Sequence, residues 1–293
     1  MKYRIKHITE YHYSEPVQLC RNQASLLPRS TEFQLCRNSS LKVSPTADDL
    51  HERKDFFGNR VTHFALQEPH EKLVVTAQSE VEIIANQALF DATQGKAWDG
   101  VRAHLRTVRN PDTLTVLPYL YDSPLVREIP QLVDYASPSF PPGRPLPEAV
   151  EELMQRIYQD FRYDPEVTTI STPLQEVLAN RHGVCQDFAH LGIGCLRAMG
   201  LAARYVSGYI ETIPPPGTKR LVGADASHAW FSIFSPGIGW IDFDPTNNQI
   251  PAEQHITVAW GRDFSDVSPL KGIALGGGEH TVVVSVDVAR LTE

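Results

Sequence analysis

Three residues in the second half of the chain carry the side chains that thiol catalysis requires. Cys185 lies where a short loop gives way to an apolar helical pattern, His228 begins a strand-like run, and Asp244 ends the next run. In thiol catalysis a histidine takes the thiol proton, and a carboxylate orients the ring and stabilises the imidazolium that forms. The order Cys, His, Asp therefore predicts a nucleophile, a base and an orienting acid.

The helix predicted after Cys185 explains only part of the reactivity expected of the Cys185 thiol. From Phe188 onward, apolar residues recur at steps of three and four, so one face of a helix that ends near Gly200 should be buried. The unpaired N–H groups and positive dipole end of that helix favour a thiolate, but Asp187 in the same turn opposes them. Pairing with a histidine can lower a thiol pKa from about 8.5 to roughly 3–4. We therefore expect His228 to be the cationic partner.

A hairpin would bring the histidine and the acid together. With a turn at 235–239 centred on Pro236, His228 would face Asp244 across two strands, with Cβ atoms ~5 Å apart. Asp242 lies on the same face and is the alternative orienting acid. A lone histidine at a strand start and an Asp-Pro turn are each ordinary structural features. The prediction therefore depends on all three residues occurring together in one folded unit.

Length, composition and charge narrow the class of protein. The 293 residues suggest about two domains. A hydrophobic content of 42% and a charged content of 21% are ordinary for a globular protein. A net charge of −8 without a polybasic run argues against nucleic acid as a partner. Because no stretch approaches the ~20 apolar residues of a membrane helix and the N-terminus lacks a signal-peptide core, we expect a cytoplasmic protein with no membrane partner.

The pattern of elements predicts an α+β fold. Strand-like runs with a hairpin turn at 55–59 favour an antiparallel β domain, which we expect to be a small sandwich. Helices followed by strands are typical of an α+β core, and the proline-rich stretch 137–145 is interpreted as a linker. The predicted segments are an N-terminal antiparallel β domain at 1–85, a mixed connector at 86–146 with a helix at 101–109, a catalytic core at 147–250 and a C-terminal β extension at 251–293.

Four strings in this order resemble the transglutaminase-like superfamily of cysteine enzymes. They are GVCQDFAH at 183–190, RYVSGY at 204–209, HAW at 228–230 and GWIDFDPT at 239–246. Two further strings, YHYSEPV at 11–17 and GRDFSDV at 261–267, are similar to the bacterial members that carry an N-terminal β domain, so the resemblance covers nearly the whole chain.

The resemblance implies a papain-like core and assigns a role to each central residue. Cys185 would be the nucleophile, His228 the base and Asp244 the orienting acid, because the family's Asp-x-Thr pattern favours Asp244 over Asp242. It also implies no metal requirement for small bacterial members. The resemblance itself leaves the activity open, because the superfamily includes crosslinking, deglycosylating and proteolytic members.

Four other residues are candidates for supporting roles at the site. Tyr163 is the candidate for the upstream oxyanion donor found elsewhere in the superfamily, although packing beside Asp164-Pro165 would explain it as well. Gln186, His190 and Trp230 adjoin the central residues in sequence. For His190, a hydrogen bond to the catalytic group competes with an ordinary buried structural role.

Metal and disulfide chemistry are not expected. A metallohydrolase built from Cys185, His190, His228 and Asp244 is a conceivable alternative, but the scattered spacing lacks a zinc signature. The four cysteines are too few and too irregularly spaced for a disulfide framework, so we expect reduced thiols. No cofactor is predicted.

These features predict thiol-based acyl transfer at an amide, through a thioester, on a peptide, isopeptide or protein substrate. Hydrolysis is favoured because no acceptor-amine site is visible in the sequence. Protein-glutamine transamidation is the alternative, since the outcome depends on whether the cleft excludes water. A non-catalytic binding protein with a relic site is a further alternative, and Cys185→Ala would leave the function of such a protein intact.

Overall fold

The computed structural model describes residues 1–84, 95–211 and 227–291, and its strands fall into two antiparallel sheets and one short parallel pair. The strands are β1 (Lys2–Ala24), β2 (Gln34–Ser44), β3 (Asp49–Lys54), β4 (Arg60–Leu66), β5 (His70–Ile83), β6 (Arg162–Tyr163), β7 (His182–Gly183), β8 (Ala203–Ile210), β9 (Ser227–Ser235), β10 (Gly239–Phe243), β11 (His255–Gly261), β12 (Leu270–Gly276) and β13 (His280–Arg290). The α-helices are α1 (Trp98–Thr107), α2 (Pro111–Val116), α3 (Pro130–Ala136), α4 (Leu146–Asp160), α5 (Leu174–Asn180), α6 (Cys185–Ala198) and α7 (Phe264–Val267). Two 3-10 helices cover Leu117–Leu120 and Ser137–Ser139.

One long strand organises the N-terminal sheet. The first half of β1 pairs with β5 and β13, and its second half pairs with β4 and β12. The antiparallel β region predicted for this part of the chain is confirmed, but its strands lie in one sheet rather than in a small sandwich. Side chains alternate along β1, so one face is buried, and Tyr3 and Ile5 on that face belong to the same apolar core as the helices. That shared core replaces the second sheet that a sandwich would supply.

The second sheet has the order β10-β9-β8-β11, and α6 packs against β8 and β9. Its outer strand β11 begins at His255, beyond position 250 where the sequence analysis ended the core. The segment 251–293 is therefore not a separate extension. Its first strand completes the core sheet, and its last two strands pair with β1 in the N-terminal sheet.

The connector predicted at 86–146 is largely helical and packed in its described part, residues 95–146. The helix predicted at 101–109 begins earlier, at Trp98, and residues 86–94 lie outside the described residues. The proline-rich stretch 137–145 is not a linker, because Ser139 and Phe140 are buried and the Trp98 indole donates to the carbonyl of Pro141 at 2.8 Å. Apolar and hydrogen-bonding contacts fix a segment that its proline content alone would leave extended.

Helix α6 is buried on all sides, whereas the sequence analysis predicted a single buried stripe. The predicted stripe from Phe188 to Met199 is buried, but so are Gly192, Gly194 and Arg197 on the other faces. The buried Arg197 guanidinium donates to the Ser123 hydroxyl and to three backbone carbonyls. A helix enclosed in this way holds its first residue, Cys185, in a fixed position.

Gly192 allows the sheet to approach this helix. A Cβ at Gly192 would lie 2.5 Å from the ring of Phe231, a buried residue of β9.

We expect Gly192→Ala to lower the free energy of unfolding by about 1–3 kcal/mol, because the ring and helix must separate. Gly100→Ala in α1 is the matched control, since a Cβ there meets nothing within 4 Å. The control should leave stability unchanged or raise it by up to about 1 kcal/mol in urea denaturation. Equal effects of the two substitutions would contradict this packing argument.

None of the helices in the described part of the chain is long and apolar enough to cross a membrane. All four cysteines, Cys20, Cys36, Cys185 and Cys195, are free thiols, in agreement with the absence of a disulfide framework expected from their spacing.

Candidate active site

The fold brings Cys185, His228 and Asp244 together from three different elements. Cys185 is the first residue of α6, His228 is the second residue of β9, and Asp244 directly follows β10. The Nε2 of His228 lies 2.8 Å from Oδ2 of Asp244, and Cys185 is close enough to His228 to raise the pKa of its ring. Because Nε2 is engaged by the carboxylate, Nδ1 is the ring nitrogen that remains for the sulfur. Cys185 is half-buried, whereas His228 and Asp244 are buried.

The hairpin that joins the histidine and the acid has a different register from the predicted one. Ser232 pairs with Asp242 and Phe231 with Phe243, so the turn is centred on Gly237 rather than on Pro236. Gly237 has a φ of 93°, a value that glycine adopts without strain. A shift of one residue in the centre moves each cross-strand partner by two. Because side chains alternate with a period of two, His228 and Asp244 stay on the same face as diagonal rather than direct neighbours.

Asp244 is the most densely hydrogen-bonded acid of the site. Its Oδ2 accepts from His228, from Nε2 of His255 at 3.0 Å and from Nδ2 of Asn247 at 2.8 Å. Its Oδ1 accepts from the backbone N–H groups of Thr246 and Asn247 at 3.0 and 3.3 Å. Burial alone would raise the pKa of Asp244, but these donors outweigh it and hold the pKa well below its ordinary value. The carboxylate is therefore ionised and can only accept hydrogen bonds.

His228 has the opposite shift. Burial by itself would lower the pKa of His228, but the hydrogen bonds to Asp244 and Cys185 and the attraction of their negative charges raise it to about 10, from an ordinary value of 6.5. The imidazolium form thus persists at neutral pH. A ring in this state can hold a thiolate beside it and can later release its proton to a leaving group.

This shift predicts a pH-dependent contribution to stability. A group whose pKa is raised on folding stabilises the folded state fully below its unfolded pKa, and the contribution is lost as pH rises through the folded value. The difference in unfolding free energy between the parent and His228→Gln should therefore decline between pH 6.5 and about 10. Urea denaturation across this range measures it. A difference that stays constant or grows with pH would contradict the protonated state of the ring.

The carboxylate of Asp187, in the first turn of α6, is held by hydrogen bonds from residues that precede the helix. Its Oδ2 accepts from the backbone N–H of Val184 at 2.9 Å and from the Thr168 hydroxyl at 2.7 Å. A Cβ at Gly183 would lie 2.7 Å from the same oxygen, so only glycine leaves room for the carboxylate there. Burial raises the pKa of Asp187, and the hydrogen bonds from Val184 and Thr168 oppose that rise.

Two of the predicted supporting residues lie at the entrance to the site. Tyr163 is opposite Gly183 in the β6–β7 pair and is 53% exposed. Burial and then the negative charge of Cys185 raise its pKa, so its ring lies near the sulfur. Gln186 donates to the backbone carbonyl of Ile170 at 3.3 Å and ties the preceding loop to the helix start. Tyr163 thus lies in the short strand pair before the helix, and Gln186 directly follows Cys185 in α6.

The other two supporting candidates have structural contacts. The Nε2 of His190 accepts from the backbone N–H of Phe264 at 3.1 Å, and burial lowers the pKa of His190 to about 4. It therefore joins α6 to α7 and does not donate to the catalytic group. Trp230 donates its indole N–H to Asp242 at 3.0 Å, so that N–H is unavailable to an oxyanion. Asp242, the alternative acid, also accepts from the Ser232 hydroxyl and is not the partner of His228.

The side chains around Asp244 include groups of the kinds that can ligate a metal ion. In the described ranges, one set of possible ligand atoms from His228, Asp244 and His255 lies within 4.8 Å of one another. Asp244 already accepts five N–H groups, and both ring nitrogens that face it act as donors. This donor arrangement fits a hydrogen-bond network better than a metal site. His190 from the predicted metallohydrolase set does not join it, since its nitrogen accepts from Phe264.

Three residues at the site were missed from the sequence. His255 and Asn247 donate to Asp244, and the buried Tyr205 has its pKa raised by burial and by the negative charge of Cys185. Asn247 follows the Asp-Pro-Thr turn, where local hydrogen bonds are common. His255 opens β11 and His228 is the second residue of β9, and this similar position near a strand start is the one signal that could have identified His255.

Comparisons with known proteins agree with the fold. The family model described as the bacterial transglutaminase-like N-terminal region matches residues 3–82, and that of the transglutaminase-like superfamily matches residues 137–245. An uncharacterized protein of Mycobacterium tuberculosis is 42% identical over 98% of this chain and 92% of its own length. A protein-glutamine gamma-glutamyltransferase of Pseudomonas aeruginosa is 30% identical over 109 residues, which are 34% of this chain and 16% of that protein.

One solved structure matches the whole chain. It is that of a candidate cysteine protease from Cytophaga hutchinsonii, which is 24% identical and covers 100% of this chain and 91% of its own, with a TM-score of 0.75. The likeness shows a shared fold. The α+β fold with a papain-like core and an antiparallel β region, expected from the sequence strings, is confirmed.

Proposed function

Because the chain belongs to the transglutaminase-like superfamily, with the N-terminal region of its bacterial members, we propose that it catalyses acyl transfer from an amide through Cys185. The observation that supports the proposal is the hydrogen bond between His228 and the fully buried Asp244, with Cys185 close enough to raise the pKa of the same ring. A relic site without catalysis would have no need to keep an ionised carboxylate buried behind the histidine.

The chemistry begins with the thiolate of Cys185. The sulfur attacks the amide carbonyl carbon, forming a C–S bond, and the carbonyl oxygen becomes an oxyanion. The N–H groups of the first turn of α6 have no acceptor within the helix, so they can donate to this oxyanion. His228 then gives its proton to the amine nitrogen as the C–N bond breaks, which leaves a thioester on Cys185. Asp244 keeps the ring aimed throughout.

We propose that water completes the reaction, so that the enzyme is a peptidase or an amidase acting on peptide or isopeptide bonds. His228 takes a proton from water as its oxygen attacks the thioester, and the C–S bond breaks to release the acid. The half-buried Cys185 beside the exposed Tyr163 is open to solvent, which favours water as the acceptor. A peptide or protein substrate, a cytoplasmic location and independence from metal are parts of the same proposal.

Transamidation is the second candidate function. One observation favours it, since the Pseudomonas aeruginosa relative is named as a protein-glutamine gamma-glutamyltransferase. In that case an amine would replace water in the second step, and the side-chain amide of glutamine would be the acyl donor. The intermediate on Cys185 is common to both reactions.

An acyl-enzyme trapping experiment tests the proposal. The protein is mixed with p-nitrophenyl acetate and with a glutamine dipeptide that has blocked termini, and the Cys185 peptide is examined by mass spectrometry after acid quenching. We expect an acyl adduct on Cys185 and none on the Cys185→Ala variant. Cys195 provides the internal control, because it is completely buried.

The same reactions separate water from amine as the acceptor. Release of free acid that a primary amine does not suppress supports hydrolysis, whereas an amide product that grows with amine concentration supports transamidation. Adducts on Cys36 at the same level as on Cys185, from both reagents, would contradict acyl transfer at this site.

A further inference from the structure

His255 shares one carboxylate oxygen with His228. Both rings direct Nε2 to Oδ2 of Asp244, at 2.8 Å for His228 and 3.0 Å for His255, and all three residues are buried. The ionised carboxylate only accepts, so each Nε2 carries a hydrogen. The Nδ1 of His255 has no hydrogen-bond partner among residues 1–84, 95–211 and 227–291. The one side-chain hydrogen bond of His255 in this part of the chain therefore goes to the acid of the catalytic series.

We propose that His255 is a positioning residue for the acyl-transfer reaction, which fixes the Asp244 oxygen that aims the ring of His228. The inference rests on the proposed function, since it concerns the same sulfur. His255 does not touch the sulfur or the reacting atoms and acts through Asp244 alone. Its place at the start of β11, two strands away from His228 in the sheet, gives the acid an anchor outside its own hairpin.

The ring of His255 is itself held in place by Trp230. The two rings meet edge to face with centroids 5.1 Å apart, and Trp230 also lies 6.0 Å from the ring of His228. Gly208 makes this possible, because a Cβ there would lie 2.6 Å from the Trp230 indole. One aromatic side chain thus packs beside both histidines, and its N–H is in turn fixed by Asp242.

The alternative role for His255 is competition for the same oxygen. A second donor on Oδ2 draws electron density away from the bond to His228 and would weaken the support of the imidazolium. The charged and titratable groups that face His228 in the described chain are Cys185 from α6, Asp244 after β10 and His255 from β11. Positioning and competition predict opposite shifts of His228 when His255 is removed, so they can be distinguished.

The experiment uses iodoacetamide as the probe and needs no substrate. The rate of alkylation of the Cys185 peptide is measured by mass spectrometry at pH 6 and at pH 10. The rate at pH 6 divided by the rate at pH 10 reports the thiolate that His228 holds at the lower pH. We expect His255→Leu to lower this ratio on the order of tenfold, the scale of one lost hydrogen bond to a charged group. His255→Gln retains a side-chain N–H and should restore most of the ratio.

A second readout follows the His228 ring directly. Its alkaline titration, observed through ring ¹⁵N shifts and identified by its absence in His228→Gln, should move to lower pH in His255→Leu, because the loosened carboxylate stabilises the imidazolium less. Loss of packing alone would move the titration in the opposite direction, to higher pH, because burial lowers the pKa of His228. His70→Leu is the matched control, since His70 is another buried histidine that opens a strand, β5, and its ring bonds to Glu68 and Cys20. The control should change neither quantity.

The outcomes separate failure of this inference from failure of the proposed function. An unchanged ratio in His255→Leu, or a His228 titration that moves to higher pH, would overturn the positioning role while leaving the thiol chemistry intact. If His255→Leu unfolds, His255→Gln is compared with His255→Asn instead. The shorter amide of Asn does not reach Oδ2, so His255→Asn should not restore the ratio. A parent ratio no larger than that of His228→Ala would instead refute the proposed function.

Discussion

Removal of the His228 imidazole is expected to slow alkylation of Cys185 by iodoacetamide at pH 6 on the order of 10²-fold relative to the parent. A thiol with a pKa of about 8.5 is only roughly 0.3% ionised at this pH, so a sulfur that loses its cationic partner loses most of its reactive form. The physical basis is the pKa of His228, which Asp244 and Cys185 raise to about 10.

The control for this prediction is His182→Ala. His182 is a half-buried histidine in β7, three positions before Cys185, so the substitution removes a nearby imidazole of the same kind. We expect its alkylation rate to stay within about threefold of the parent. Equal loss in His182→Ala and His228→Ala would show that the two substitutions act through general disturbance of the helix start.

Replacement of the buried acid should have the second large effect. Asp244→Asn keeps the size of the side chain but removes the charge on which His228 and His255 converge. Turnover of p-nitrophenyl acetate is expected to fall on the order of 10³-fold, somewhat less than the roughly 10⁴-fold loss for an acid-to-amide change in a Ser-His-Asp triad. The alkaline titration of His228 should move to lower pH at the same time, since the carboxylate is one of the two groups that raise its pKa.

Asp242→Asn is the matched control for this substitution. Asp242 lies two residues before Asp244 and accepts from Trp230 and Ser232, so its loss should lower stability more than reactivity. We expect turnover within about tenfold of the parent. If Asp242→Asn reduced turnover as much as Asp244→Asn, the acid that orients His228 would have been identified wrongly.

The sequence predicted best those elements that have a buried face. The alternation at 203–210 also predicts a strand, which coincides with β8 because its apolar residues are enclosed in the core sheet. Strands β3 and β12 were missed, and almost all of their residues are exposed, so neither shows the alternation that marks a strand. Their positions depend on pairing with β4 and β1, which local pattern does not record.

The catalytic side chains of the candidate site could be predicted from the sequence more readily than the contacts between them and their neighbours. Cys185, His228 and Asp244 carry distinctive side chains in a recognisable order, and the hairpin kept the last two on one face even though its centre was placed one residue early. His255 could not be placed in this way, because its contact with Asp244 depends on the order of four strands. A single sequence gives the ends of strands more readily than the order in which they pair.

The protonation state of the His228 ring at pH 8.5 tests the account most directly. In ¹⁵N-histidine-labelled protein, with the His228 signals identified by their loss in His228→Gln, we expect both ring nitrogens to carry hydrogen at this pH. Treatment that caps the Cys185 sulfur as a methyl disulfide should shift the titration of the ring to lower pH. A ring with a single N–H at pH 8.5, unaffected by capping the sulfur, would contradict an imidazolium held between a thiolate and a buried carboxylate.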